Sequence, residues 1–146
     1  MIKTDHNEVK ALFKEYESLD ADEAIGRHNL ATKIMEGLVK HDEAEEQTLY
    51  ATLKERLSDT DDRVKVLEGY EEHAMASDLI KKLKKLPSAD EDFTAKFAVL
   101  HEAVEHHIKD EEGKIHKVAR EVLERDELDQ LGSRFQEAKK RVTVAS

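Results

Sequence analysis

The chain of 146 residues contains no cysteine and no tryptophan, a single proline and only five glycines. Without thiols there is no disulfide framework, no cysteine-type zinc site and no thiol nucleophile. So little proline and glycine excludes a sheet protein built on many tight turns. Long apolar runs are also missing: no stretch approaches the roughly 20 apolar residues that cross a bilayer. The start, MIKTDHNEVK, has neither the basic region nor the apolar core of a secretory leader. Positive charge is in deficit, with 24 Lys and Arg against 34 Asp and Glu and a formal charge of −10. Such a surface repels nucleic acid and anionic membranes, so neither is an expected partner, and a cytoplasmic location is expected.

The remaining composition, 38% apolar and 40% charged, suits long helices with one buried stripe and a solvated opposite face. Val9, Leu12, Phe13 and Tyr16 recur with helical spacing, and Asp5 followed by Glu8 resembles a helix start, which predicts a first helix over about 5–18. Past the polar segment LDADEA, Leu30, Ile34, Leu38, Leu49 and Leu53 mark a long second helix, bent near Tyr50 and ending near SDTDD. A third starts around Asp61 and carries Val66, Tyr70, Ala76, Ile80 and Leu83 until Pro87 forces a turn. Phe97, Leu100, Val104, Ile108, Ile115 and Val118 form the stripe of a fourth, and Leu128, Leu131, Phe135, Ala138 and Val142 that of a shorter fifth. Short junctions place successive helices antiparallel. The expectation is one all-α domain over residues 1–146: an up-down-up-down four-helix bundle at about 5–122, with a C-terminal helix at about 127–142.

Eight histidines stand out in this chain. A faint repeat runs through them. His6 precedes a His-x-x-x-Glu unit at His41 and Glu45, and His73 precedes another at His107 and Glu111. Residues four apart on a helix differ by about 40° around its axis, so each His and its Glu share a face. On the second helix that face also holds Ile34 and Leu38, which puts the pair in the apolar stripe. Height gives an independent check, because antiparallel helices juxtapose residues equidistant from the turn. The midpoints of His6 and His41, of Glu45 and His73, and of His73 and His107 fall in LDADEA, at Asp59 and at Asp90, all at or near inferred junctions. Four imidazoles and two carboxylates are therefore expected at one level of the interior. Buried carboxylates without a cation cost several kcal/mol each, and no Lys or Arg occupies those stripes at that height. Imidazole with carboxylate suits iron, manganese or zinc, and six ligands exceed what one tetrahedral zinc accepts, favouring two metals bridged by the glutamates, with iron the leading candidate. The Glu-x-x-His motif of ferritin-like sites does not occur in the sequence.

The segments DHNEVKALF, HDEAEEQTLY, EEHAMASDLI and VEHHIKDEEGKI together resemble the hemerythrin-like (HHE cation-binding) family, in its stand-alone bacterial form, over most of the chain. The resemblance implies a four-helix bundle holding an oxo- or hydroxo-bridged non-haem di-iron centre, with zinc or manganese as substitute metals. His6, His41, His73 and His107 would be terminal ligands, and Glu45 and Glu111 bridging ones. The sequence departs from the oxygen carriers at Ser77, where they have a further histidine. Both irons would then be open, unless His101, Glu72, Tyr50, Tyr70 or water supplies a ligand or supporting contact. Open positions on both metals favour reaction with H2O2, O2 or NO over simple oxygen storage. Catalase- or peroxidase-like turnover, with an electron donor or protein partner unspecified, is one form of such reactivity. The alternative is a module that senses oxygen or iron, or binds and stores oxygen, without turnover. His106 points away from the fourth stripe with Asp110 beside it, and His28 and His116 sit about 120° from theirs, at the surface or its boundary. No Ser-His-Asp order or Gly-rich phosphate loop supports a hydrolase, kinase or nucleotide enzyme.

Overall fold

Seven α-helices, four of them linked in two pairs through π-helical turns, form the regular structure of the computed structural model, which describes residues 2–20 and 22–142. They are α1 (Ile2–Ser18), α2 (Ala24–Glu45), α3 (Ala51–Arg56), α4 (Thr60–Lys84), α5 (Glu91–Asp110), α6 (His116–Val122) and α7 (Arg125–Arg141). The π turns Glu46–Tyr50 and Glu111–Ile115 join α2 to α3 and α5 to α6 as continuous rods. Among the described residues there is no strand, and no helix is long and apolar enough to cross a membrane. Ala21 in the first junction and the last four residues of the expected 1–146 domain lie outside the described residues.

Local chemistry sets the boundaries. Asp59 caps α4 by accepting from the Asp62 amide at 3.1 Å, and Asp90 caps α5 by accepting from the Asp92 amide at 2.8 Å. Glu127 reaches back to the Glu124 amide at 3.3 Å to start α7. Pro87 lies in the turn between α4 and α5. The first helix begins at Ile2, ahead of the expected start near Asp5. Asp5 is not a cap: its carboxylate is committed to His41 and Lys139 on other helices.

α1 packs along α2 and α4 along α5, with lesser contacts between α1 and α5 and between α2 and α4, while α7 lies against α2 and the first π turn. Two apolar clusters result. Phe13, Ile34, Leu83, Phe97 and Leu100 anchor one, and Tyr50, Leu53, Val66, Ile115 and Leu131 anchor the other. Each fully buried large side chain contributes about 1.5–3 kcal/mol. Along the α2–α3 rod and α4, the residues between the two clusters include His41, Glu45 and His73, which places a polar layer between two apolar ones. A third small cluster of Ala44, Phe135 and Ala138 fastens α7 over α2.

Candidate metal centre

α1 supplies His6, α2 His41 and Glu45, α4 His73, and α5 His107, and Glu111 opens the second π turn. The structure brings all six together: both glutamates are 0% exposed and no histidine of the four exceeds 8%. Their donor atoms fall into two quartets, each within 4.8 Å: His6, His41, Glu45 and Glu111, and Glu45, His73, His107 and Glu111. Both glutamates belong to both quartets. Glu45 sets Oε2 3.3 Å from His41 Nε2 and Oε1 3.2 Å from His73 Nε2. Glu111 sets Oε1 3.7 Å from His6 Nε2 and Oε2 2.8 Å from His107 Nε2. Each carboxylate thus spans the two histidine pairs.

A ring of outer carboxylates aims the imidazoles. Asp5 on α1 takes His41 Nδ1 at 2.9 Å, and Glu46 in the first π turn takes His73 Nδ1 at 3.0 Å. Glu72 on α4 takes His107 Nδ1 at 2.9 Å, and Glu112 in the second π turn takes His6 Nδ1 at 2.8 Å, closing the circle from rod to rod. An ionised carboxylate only accepts, so every Nδ1 carries the hydrogen, and every neutral ring points its Nε2 lone pair inward. This is the arrangement by which proteins orient metal-binding histidines.

Buried atoms left without hydrogen-bond partners test whether this donor set fits a metal. Among the described residues they include His6 Nε2, His41 Nε2 and both oxygens of Glu45. Each such atom costs about 1–3 kcal/mol when nothing satisfies it. The His73 and His107 Nε2 atoms are 3.1 Å apart, and two nitrogens bound at right angles to one ion with bonds of about 2.1 Å stand about 3 Å apart. The residues fit metal ions.

Without a cation, protons take up the charge. Burial pulls the His41 pKa down, but the charge of Glu45 and the hydrogen bond to Asp5 outweigh it and raise it to about 10. The same contest raises His107 to about 12, through Glu111, Glu45 and Glu72, and His73 to about 9, through Asp42, Glu45 and Glu46. At His6 burial prevails over the pull of Glu111, and the pKa falls. Burial lifts Asp42 to about 6. Burial pushes Glu45 up too, but the facing histidines His41 and His107 hold it well below the usual carboxylate range.

Tyr50 is fully buried, stacks on His73 at 5.2 Å and donates its hydroxyl to Glu111 Oε2 at 2.9 Å. Gly69 makes room for it: a Cβ there would lie 2.7 Å from the Tyr50 hydroxyl oxygen. Tyr70 packs edge-on against the Tyr50 ring at 5.3 Å, and its hydroxyl faces the Glu46 carbonyl at 3.5 Å rather than the cluster. Ser77 is half-buried, and the contacts that order the six residues come from other positions. His101 stands apart, stacked on Phe13 at 4.3 Å and paired with Glu17 and, one turn along the helix, with Glu105. His106 is 69% exposed beside Asp110, and His28 is exposed with its Nδ1 3.0 Å from the Ser88 hydroxyl. His116 sits at the boundary, 17% exposed, as its angle implies, yet its Nε2 lies 3.1 Å from Glu111 Oε1. A cleft of about 600 Å³, with Val9, Leu12 and Val104 in its walls, reaches the cluster.

The sequence singles out the six residues that converge, but of the four outer carboxylates it names Glu72 alone as a candidate and leaves Asp5, Glu46 and Glu112 out. A signal was present: Asp5, Glu46, Glu72 and Glu112 each adjoin an inner residue, in the doublets Asp5-His6, Glu45-Glu46, Glu72-His73 and Glu111-Glu112.

Comparison with known proteins places this geometry in a family. The profile of the hemerythrin HHE cation-binding domain matches residues 1–119. The crystal structure of a hemerythrin HHE cation-binding domain-containing protein from Mycobacterium kansasii superposes with a TM-score of 0.77, at 19% identity, over 95% of this chain and 85% of that one. That likeness is one of fold. A protein of Nostoc sp. named DNA nickase is 25% identical over 142 residues, which are 97% of this chain and 39% of the relative. The chain thus spans about two-fifths of that relative's length.

Proposed function

The chain belongs to the hemerythrin HHE cation-binding domain family, and from that premise we propose that it is a cytoplasmic non-haem di-iron protein that binds and reacts with peroxide, oxygen or nitric oxide. One observation carries the pairing: Glu45 and Glu111 each set one oxygen toward each histidine pair. His6 and His41 would hold one ion and His73 and His107 the other, with the glutamates shared. The rods α1, α2–α3, α4 and α5–α6 are read as an up-down-up-down bundle around them, a reading supported by the short turns between rods and the packing of α1 on α2 and α4 on α5.

Two histidines with carboxylates and room for further ligands are a donor set of non-haem iron that meets oxygen, with manganese or zinc as substitutes. When bound, an iron pair supplies two electrons at one place, the number a peroxide takes. The chain's own residues do the rest. Asp5, Glu46, Glu72 and Glu112 fix the imidazole planes, Tyr50 donates to Glu111, and burial keeps bulk water from the glutamates. The cleft gives a small ligand its approach. The Nostoc relative is named for an action on DNA, but the charge of −10 on this chain works against contact with phosphates, and nucleic acid is not part of the reading.

A second reading, sensing without turnover, is favoured by one observation. Lys139 of α7 bonds Asp5 at 2.7 Å, Asp5 bonds His41, and Phe135 of α7 meets the His41 ring at 5.2 Å, contacts that would couple occupancy at His41 to α7. Metal analysis with absorption spectra before and after adding H2O2 tests the proposal. Two irons per chain, near-ultraviolet absorption of a coupled pair and peroxide consumption are expected, all lost in Glu45→Ala. Reversible oxygen uptake with no peroxide consumption, together with altered amide exchange in α7, would replace the first reading by the second.

A further inference from the structure

His116 lies outside the six residues that hold the proposed ions, yet its Nε2 is closer to Glu111 Oε1 than that of His6, at 3.1 Å against 3.7 Å. We propose that His116 is a positioning residue of the metal centre: its Nε2–H holds Glu111 Oε1 in place for the ion shared with His6 and His41. The inference rests on the two-metal reading above.

The π turn makes the contact. His116 follows Glu111 by five residues, and in an α-helix that spacing would rotate it about 140° away. A turn closed between residues five apart returns it to the face of Glu111 instead. A carboxylate accepts only, so the hydrogen of this bond sits on Nε2. The ring is also held from the side, stacked with the His6 ring at 6.0 Å and 4° between planes. Glu111 Oε2 already accepts from Tyr50 at 2.9 Å. With His116 on Oε1, both oxygens of Glu111 carry a donor and the carboxylate has no free rotation.

Glu45 has no such support, since both of its oxygens are buried without a hydrogen-bond partner among the described residues. Tyr50 stands five residues beyond Glu45, at the end of a π turn of its own, but it too bonds Glu111. Both residues that end or follow the π turns therefore serve one bridging glutamate. His116 reaches Glu111 from outside the main cleft, as part of the lining of a second cavity of about 390 Å³ with Lys3, Thr48, Leu49 and Arg120. Its side chain is 17% exposed, so a substitution there leaves the cores and the cleft in place. The consequence is selective: losing this donor loosens Glu111 Oε1, which faces His6, more than Oε2, which Tyr50 and His107 still hold.

The test is anaerobic titration of the full chain with Co(II), followed by visible absorption and calorimetry, for the native protein, His116→Leu and His116→Gln. The native chain takes up two ions. His116→Leu takes up one with native affinity and the other roughly 10–100-fold more weakly, the usual cost of losing an outer-shell partner. His116→Gln, whose amide N–H can reach the same oxygen, keeps both steps near native. Circular dichroism and urea unfolding of the metal-free variants establish that each is folded. Native binding of both ions by His116→Leu overturns the inference, and so does equal weakening of both steps, or a Gln variant that fails as Leu does. A native chain that takes up fewer than two ions overturns the two-metal reading itself, which tells the two failures apart.

Discussion

On the α2–α3 rod, the π turn after Glu45 ends in Tyr50, fully buried against Gly69, while on the α5–α6 rod the π turn opened by Glu111 is followed by His116, 17% exposed beside a second cavity. α7 deepens the contrast, because Phe135 and Lys139 close over His41 and Asp5 on the first side. The inner donors are nearly symmetric, two histidines to each quartet and both glutamates in both. Their support is not. One half is set by close packing, which tolerates no added volume, and the other by a polar contact near solvent, which tolerates a change of side chain that keeps the hydrogen bond. The residues at the two π turns thus steady one shared glutamate, Glu111, by different means.

The largest expected effect breaks both halves at once. Glu45→Ala removes an oxygen from each quartet, so metal analysis of the purified variant should find neither ion at full occupancy. Two ions retained would mean that Glu45 is not shared. Next come the outer carboxylates. Glu46→Gln and Glu112→Gln should each weaken metal binding roughly 10–100-fold, the first at the His73 position and the second at the His6 position. A competitive chelator titration reads both, and equal loss at the two positions in either variant would show that the ring does not act locally. Gly69→Ala should cost about 1–3 kcal/mol in urea unfolding by forcing Tyr50 to move, whereas Gly113→Ala, with nothing within 4 Å of the added carbon, should not show this clash.

Acidity distinguishes the metal-free from the loaded protein. The folded-state pKa values of His41, His73 and His107 are raised from 6.5 to about 10, 9 and 12. Their protons stabilise the metal-free fold fully below about pH 6.5, and that contribution is lost as the pH rises through about 9 to 12. His6, with its pKa lowered, acts in the opposite sense at acid pH. The urea midpoint of metal-free protein should fall from about pH 7 to about pH 10, and metal should flatten that slope, since ligation removes the same protons. A metal-free midpoint that does not fall would mean that the carboxylates do not hold these histidines protonated. The smallest effect is expected at His106, 69% exposed and paired with Asp110. His106→Ala should leave metal content unchanged.

The helical class and the convergence of six residues were legible because they depend on periodicity and height alone. His41 and Glu45, four apart, share a face whatever surrounds them, and Asp59 and Asp90, the midpoints used to align the rods, are the caps that start α4 and α5. What escaped depends on departures from the α-helical angle or on which neighbour a carboxylate meets. His116 is placed on the wrong face by 100° per residue and on the right one by a π turn. Asp5 has the form of a helix cap, but its partners, His41 and Lys139, come from α2 and α7. His101 has a suitable angle, but Phe13, Glu17 and Glu105 hold it elsewhere. A single sequence contains those partners without saying which of them meet.

The most direct measurement is diffraction at the iron absorption edge from crystals of the full chain loaded anaerobically with Fe(II). Two anomalous peaks about 3.5–4 Å apart are expected, one between His6 and His41 and one between His73 and His107, with Glu45 and Glu111 reaching both. A single peak, or iron bound instead by Glu72, Asp110 and the exposed His106, would contradict the shared two-ion site.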